Sequence, residues 1–177
     1  MTIAWVFPGQ GSQKIGMANK IIDLPNAKNR FNYASEVFKR NLFEICEQNS
    51  DIKNLCDDLN NTKNTQICLF LVESVLLDSL KEKGFIPNYI AGHSLGEITA
   101  LYCADVLSFE DCVSLIQVRS ELMADAAKGS MAALIGFDRN QLDLLVEEID
   151  DLVIANDNSS SQVVLSGSEK ALDNISK

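Results

Sequence analysis

Apolar residues recur along the chain with two periods, and the alternation of those periods divides it into strands and helices. Thr2 to Phe7 is rich in β-branched and aromatic residues and stops at Pro8-Gly9, which predicts a buried strand ending in a loop. From about Ala27 to Cys56 the apolar positions, among them Phe31, Ala34, Val37, Phe38, Leu42, Phe43, Ile45 and Cys46, fall at helical spacing, as expected of helices with one buried stripe. A polar break from Asp57 to Asn64 follows, and Asn64 or Thr65 is the expected N-cap of a long helix. That helix carries Ile67, Leu69, Phe70, Val72, Val75, Leu76 and Leu80 and ends at Gly84. Being apolar on most sides, it is expected to lie against the central sheet, with Phe70 and Leu76 in the core.

Further on, Tyr89-Ile90-Ala91 reads as a short strand and Glu97 to Tyr102 as the opening of a helix. Another helix is expected from about Phe109 to Ala127, starting at Ser108 or Phe109, with Val113, Ile116, Leu122 and Met123 facing inward. Beyond Lys128-Gly129 the pattern changes. Ser130 to Gly136 reads as a strand, Asn140 to Ile149 as a helix, Leu152 to Ala155 and Gln162 to Gly167 as strands, and Glu169 onward as a helix. Asn156 to Ser161 is the expected polar turn between the last two strands. The order βαββα is that of a ferredoxin-like unit short of its last strand. These readings predict an α/β chain with a large subdomain over residues 1–127 and a small one over 128–177.

The chemistry concentrates between the second strand and its helix, at Gly92-His93-Ser94-Leu95-Gly96. A Gly-x-Ser-x-Gly turn in that context is a nucleophile elbow, in which the glycines remove Cβ atoms that would clash and the serine presents its Oγ to substrate. Three fixed positions arise by chance in many chains, but here strand, turn and helix agree. Ser94 is therefore the candidate nucleophile. The Leu95 N–H, an unpaired donor of the helix's first turn, can point at an oxyanion with help from the helix dipole. Pro8-Gly9-Gln10-Gly11-Ser12-Gln13, at the end of the first strand, has two glycines for close backbone approach with Gln10 between them; taken alone it reads as a solvated turn, and it lacks the full phosphate-binding pattern. Arg119 lies in a helix otherwise committed to packing, so it should meet an anion, either an internal carboxylate or one brought by a ligand.

Composition narrows the setting. The formal net charge of −10 disfavours nucleic acid and anionic membrane as partners, and no cluster of Lys and Arg offsets it. Five cysteines, Cys46, Cys56, Cys68, Cys103 and Cys112, lack Cys-x-x-Cys spacing and read as reduced core residues. With His93 the single histidine, no metal site is expected. Met1 to Phe7 lacks the basic segment and the length of a signal peptide or membrane span, which points to the cytoplasm.

With these residues in hand, the chain resembles the bacterial malonyl-CoA:acyl-carrier-protein transacylases of fatty acid synthesis. The matching stretches are Phe7 to Gln13, Thr65-Gln66, Gly92 to Glu97, Gln117-Val118-Arg119-Ser120, Met131-Ala132-Ala133, Ile154 to Asn158 and Gln162 to Gly167. The resemblance implies an α/β-hydrolase-like core with a nucleophile elbow plus an incomplete ferredoxin-like small subdomain. It makes Ser94 the residue that takes malonyl as an ester, gives the oxyanion hole to the backbone amides of Gln10 and Leu95, and pairs Arg119 with the malonyl carboxylate. It implies no cofactor, a coenzyme A thioester as substrate, acyl carrier protein as partner, and a monomer. His93 is a cleft residue in the family motif and not the general base.

The family's catalytic histidine follows the small subdomain and has no counterpart among these 177 residues. The chain is accordingly expected to be an N-terminal fragment, inactive by itself. The same elbow also suits a serine thioesterase or esterase, and a non-catalytic fragment that binds carrier protein is a third reading. The Gln10 loop and Arg119 favour acyl transfer, because a hydrolase needs no carboxylate clamp.

Overall fold

A computed structural model describes residues 2–47, 58–126 and 129–175. The chain divides into two units, Met1–Asp125 and Ala126–Lys177. The first contains strand β1 (Ala4–Phe7), helices α1 (Ala27–Phe38), α2 (Leu42–Glu47) and α3 (Thr62–Glu82), strand β2 (Tyr89–Gly92), and helices α4 (Gly96–Cys103) and α5 (Phe109–Ala124). β1 and β2 pair in parallel, with Ala4 opposite Tyr89 and Phe7 opposite Gly92.

The helical run expected from Ala27 divides at Lys39, whose left-handed φ of 57° ends α1 and turns the chain into α2. The part of that expectation reaching Cys56 lies outside the described residues, as does Ala127. α3 begins at Thr62, ahead of both expected caps. Asn61 takes that role, its side chain accepting from the Lys63 amide at 3.0 Å. Asn64 and Thr65 sit inside the first turn, buried, with their side chains in tertiary bonds: Arg40 donates to Asn64 Oδ1 at 2.7 Å, and Thr65 Oγ1 donates to the Leu59 carbonyl at 2.6 Å.

The expectation that α3 lies on the sheet needs correction. It packs chiefly on α5 and α4, with α1 and α2 alongside, while α4 contacts both strands. The reason is the elbow, which launches α4 from the end of β2 and folds it back over the strand pair, filling the place assigned to α3. α3 still reaches the strands at Leu77, which clusters with Phe7 and Cys103. Phe70 is fully buried and stacks on Phe109 at 5.6 Å between ring centroids, but Leu76 is 43% exposed. On α5, Ser108 closes a capping box with Asp111, and Val113 and Ile116 are buried. Leu122 and Met123, expected inward, are exposed, because the last turn of α5 runs past the core that Ile116 completes.

α3 also carries a buried carboxyl. Thr99 Oγ1 on α4 donates to Glu73 Oε2 at 2.5 Å, whereas Oε1 is buried with no hydrogen-bond partner among the described residues. Burial pushes the Glu73 carboxyl up to about 7, against the opposing effect of the Thr99 hydrogen bond. A carboxyl whose folded value is raised leaves stability intact below its unfolded pKa and removes it as pH rises toward the folded value. Stability should therefore fall by up to about 3 kcal/mol between pH 4.5 and pH 7. Glu73→Gln should flatten that fall, read as urea midpoints at pH 5 and pH 8; an equal fall in both proteins would remove Glu73 as its source.

The second unit holds β3 (Ser130–Ile135), α6 (Arg139–Glu148), β4 (Leu152–Ser159), β5 (Gln162–Gly167) and α7 (Glu169–Ile175). Its antiparallel sheet has the order β3-β5-β4. Asn156 to Ser159, expected in a turn, belong to β4, and the reversal is confined to Ser160-Ser161. Polar residues are tolerated there because β4 is flanked on one side only among the described strands, with register shifts after Ile154 and Asp157. Leu142, Leu152, Val163, Leu165 and Leu172 form this unit's own core.

Candidate active site

The strand pairing ends where the elbow begins. Opposite Gly92, Phe7 finishes β1, and its carbonyl accepts from the His93 amide at 3.0 Å. The chain then reverses at Ser94, whose φ of 54° lies in the left-handed region that few non-glycine residues enter. Gly96 and Glu97 amides return to the His93 and Ser94 carbonyls at 3.0 and 3.1 Å, starting α4.

The spacing of the glycines follows from contact. A Cβ on Gly92 would stand 2.0 Å from the Gly96 carbonyl oxygen, and one on Gly96 would stand 2.1 Å from that of Phe7. A Cβ on Gly9 would meet the His93 carbonyl at 2.6 Å, so the loop after β1 lies directly on the elbow. Because each obstacle is backbone, Gly96→Ala should cost roughly 3 kcal/mol or more, near the top of the range for single substitutions. Thermal denaturation checks this, and a loss under about 1 kcal/mol would mean that the close approach does not fix the elbow.

Ser94 is exposed at the turn, with Leu95 fully buried beneath it. Arg119 reaches across from α5, its Nη2 donating to Ser94 Oγ at 3.0 Å and its Nη1 to Gln66 Oε1 on α3. No Asp or Glu among the described residues forms a salt bridge with Arg119, so the internal-carboxylate alternative finds no partner there. The Gln10 side chain donates from Nε2 to Thr62 Oγ1 at 2.9 Å, and Gln66 Nε2 donates to the same hydroxyl oxygen at 3.0 Å. The backbone amides of Gln10 and Leu95 donate to no group among the described residues. Ser12 Oγ and Gln13 Oε1 brace the loop by bonding to the Gly9 carbonyl and the Gly11 amide, each at 2.8 Å.

Ser94, Arg119 and the Gln10 loop thus meet at one end of the parallel strand pair. Gln66 and Thr62 join that loop to Arg119; sequence reasoning placed Gln66 in a family-like stretch but assigned it no role, and assigned Thr62 none. The available signal was Gln66 standing directly before the apolar run Ile67 to Val72, on a turn that the structure buries. A separate hollow, lined by Ile90, Ala91, Gly92, Glu97, Ala100, Leu101 and Ala104, includes none of the proposed site residues. Among the described residues, no group of three His, Cys, Asp or Glu is placed to hold a metal ion. No described helix is long and apolar enough to cross a membrane. Cys46, Cys68, Cys103 and Cys112 are buried free thiols. The Cys68 thiol is held well above its usual range, first by its hydrogen bond with Cys46 and then by burial, while burial pushes Cys112 up to about 11.

The site is thus a serine at a strand-to-helix elbow with a cation on its hydroxyl, in a mixed α/β chain. Residues 4–177 match the family model described as acyl transferase domain, and the chain belongs to that family. It is 43% identical over 175 residues to a malonyl CoA-acyl carrier protein transacylase of Synechocystis, covering 99% of this chain and 58% of that protein. The crystal structure of the Synechocystis transacylase matches with a TM-score of 0.90 over the same shares of the two chains. A Bacillus subtilis protein of the same name is 37% identical over 179 residues, 97% of this chain and 55% of its own. A malonyl-transacylase solved in complex with a type II polyketide acyl-carrier protein matches at 34% identity and a TM-score of 0.86, covering 98% of this chain and 57% of that one. The fold is the mixed α/β fold of these transacylases, and the chain spans less than two thirds of the length of each of these relatives.

Proposed function

We propose that this chain carries the nucleophile, oxyanion and carboxylate-binding parts of a malonyl-CoA:acyl-carrier-protein transacylase for fatty acid synthesis. Ser94 Oγ attacks the thioester carbonyl of malonyl-CoA, and the Gln10 and Leu95 amides hold the oxyanion. Collapse of the intermediate breaks the C–S bond, and coenzyme A leaves as its thiol. The phosphopantetheine thiol of acyl carrier protein then attacks the seryl ester, regenerating Ser94. Arg119 grips the malonyl carboxylate throughout. The observation that carries this reading is the 3.0 Å contact from Arg119 to Ser94, made by a guanidinium with no carboxylate of its own among the described residues. The buried free thiols among the described residues support a reducing cytoplasmic setting, where the chain works as a monomer without a cofactor.

The finer architecture belongs to the same proposal. The parallel β1–β2 pair with its elbow supports an α/β-hydrolase-like core, and the strand order β3-β5-β4 supports an incomplete ferredoxin-like subdomain.

A serine hydrolase would use the same elbow, so the test is where the acyl group goes. With malonyl-CoA and holo acyl carrier protein, malonyl carrier protein should form in a Ser94-dependent reaction, at whatever rate. Release of free malonate instead would make the chain a thioesterase.

A further inference from the structure

Resting on the reading of Arg119 as the carboxylate clamp, we propose that Gln66 is a positioning residue. It holds the guanidinium turned toward Ser94 without neutralising it, and so sets the preference for acyl groups that carry a carboxylate.

The argument starts from donors and acceptors. Arginine has only donors, so the Gln66 atom facing Arg119 must be the amide oxygen. That fixes the amide orientation and turns Nε2 toward Thr62 Oγ1 at 3.0 Å and Met123 Sδ at 3.3 Å. Gln66 is 0% exposed, so neither end has water to exchange for these partners. The same Thr62 hydroxyl receives Gln10 Nε2 at 2.9 Å, which ties the clamp to the loop that supplies the proposed oxyanion amide. One arm of the guanidinium is thereby anchored on α3 and the other placed on Ser94 Oγ, with its remaining donors unused among the described residues.

Neutrality of the anchor is the selective feature. A carboxylate at position 66 would accept as well as the amide but would pair with Arg119 and compete with the substrate's own carboxylate. An apolar side chain of similar length would leave a buried N–H unmet and let the fork swing.

Equilibrium dialysis of the full 177-residue chain against malonyl-CoA and acetyl-CoA tests this, with thermal midpoints recorded alongside. Wild type should prefer malonyl-CoA. Gln66→Glu should lose at least about tenfold of that preference, with the loss falling on malonyl-CoA far more than on acetyl-CoA. A purely structural role would instead move both ligands and the midpoint together. Should Gln66→Glu not fold, Gln66→Met carries the test through the same ratio. Full preference in the folded variant, with Arg119→Ala losing it, would overturn the role of Gln66 and leave the clamp standing. No preference in wild type, including binding of neither ligand, would overturn the clamp and this inference together.

Discussion

Arg119→Ala will lower malonyl transfer on the order of ten- to a thousandfold and leave acetyl transfer level or raised, measured as kcat/KM for each thioester on the chain joined to the part of the Synechocystis transacylase that its match leaves uncovered. The carboxylate is the chemical difference that matters between the two acyl groups. A planar guanidinium can grip it through two parallel charge-assisted hydrogen bonds, each roughly twice as strong as a neutral one. Losing the partner of a desolvated charge costs about 2 to 5 kcal/mol, which sets the expected range. Acetyl has no carboxylate to strand. Removing Arg119 therefore takes no partner from bound acetyl, and it also removes the 3.0 Å hydrogen bond on Ser94 Oγ. Equal losses for both acyl groups would make Arg119 a structural residue and take malonyl out of the account.

The 177 residues assayed alone will transfer malonyl at least about a thousandfold more slowly than the same segment joined to the part of the Synechocystis transacylase that its match leaves uncovered. A serine hydroxyl is a weak nucleophile until a base takes its proton. Here the group on Ser94 Oγ is Arg119, which has no acceptor to offer. The lone histidine, His93, contributes its backbone to the elbow, bonding Phe7 through its amide and Gly96 through its carbonyl. The elbow and its amides still provide binding and oxyanion stabilisation, so a small residual rate is expected. Equal rates with and without the added segment would show that a base already lies within these residues.

Much of the site was legible because its determinants are local. The two glycines of the elbow, and the glycine of the loop laid on it, are each required by a backbone atom within 2.6 Å of where a Cβ would be. A spacing of that kind is written in five consecutive residues. The meeting of Arg119 with Ser94, 25 residues away, and with Gln66, 53 away, depends on how α3, α4 and α5 pack. Periodicity does not carry that information: it marked Arg119 only as a cation in need of an anion, the resemblance supplied its role, and Thr65-Gln66 matched the family without a role for Gln66. Side-chain pattern also failed where helices outrun their core. Leu76 and Leu122 continue apolar stripes that Phe70 and Ile116 bury, yet both are exposed. The cap of α3 was misplaced because Asn61, Asn64 and Thr65 are all good capping residues, and tertiary bonds from Arg40 and to Leu59 decide which of them is left to cap.

Covalent capture reads the central claim without requiring fast turnover. The purified chain is incubated for hours with malonyl-CoA, digested, and mapped by mass spectrometry, with neutral hydroxylamine used to strip thioesters formed on cysteines. A malonyl ester should appear on the peptide carrying Ser94, weaken in Arg119→Ala, and vanish in Ser94→Ala. Malonyl found elsewhere while Ser94 stays free, or labelling indifferent to Ser94→Ala, would contradict the assignment of Ser94 as the residue that receives the acyl group.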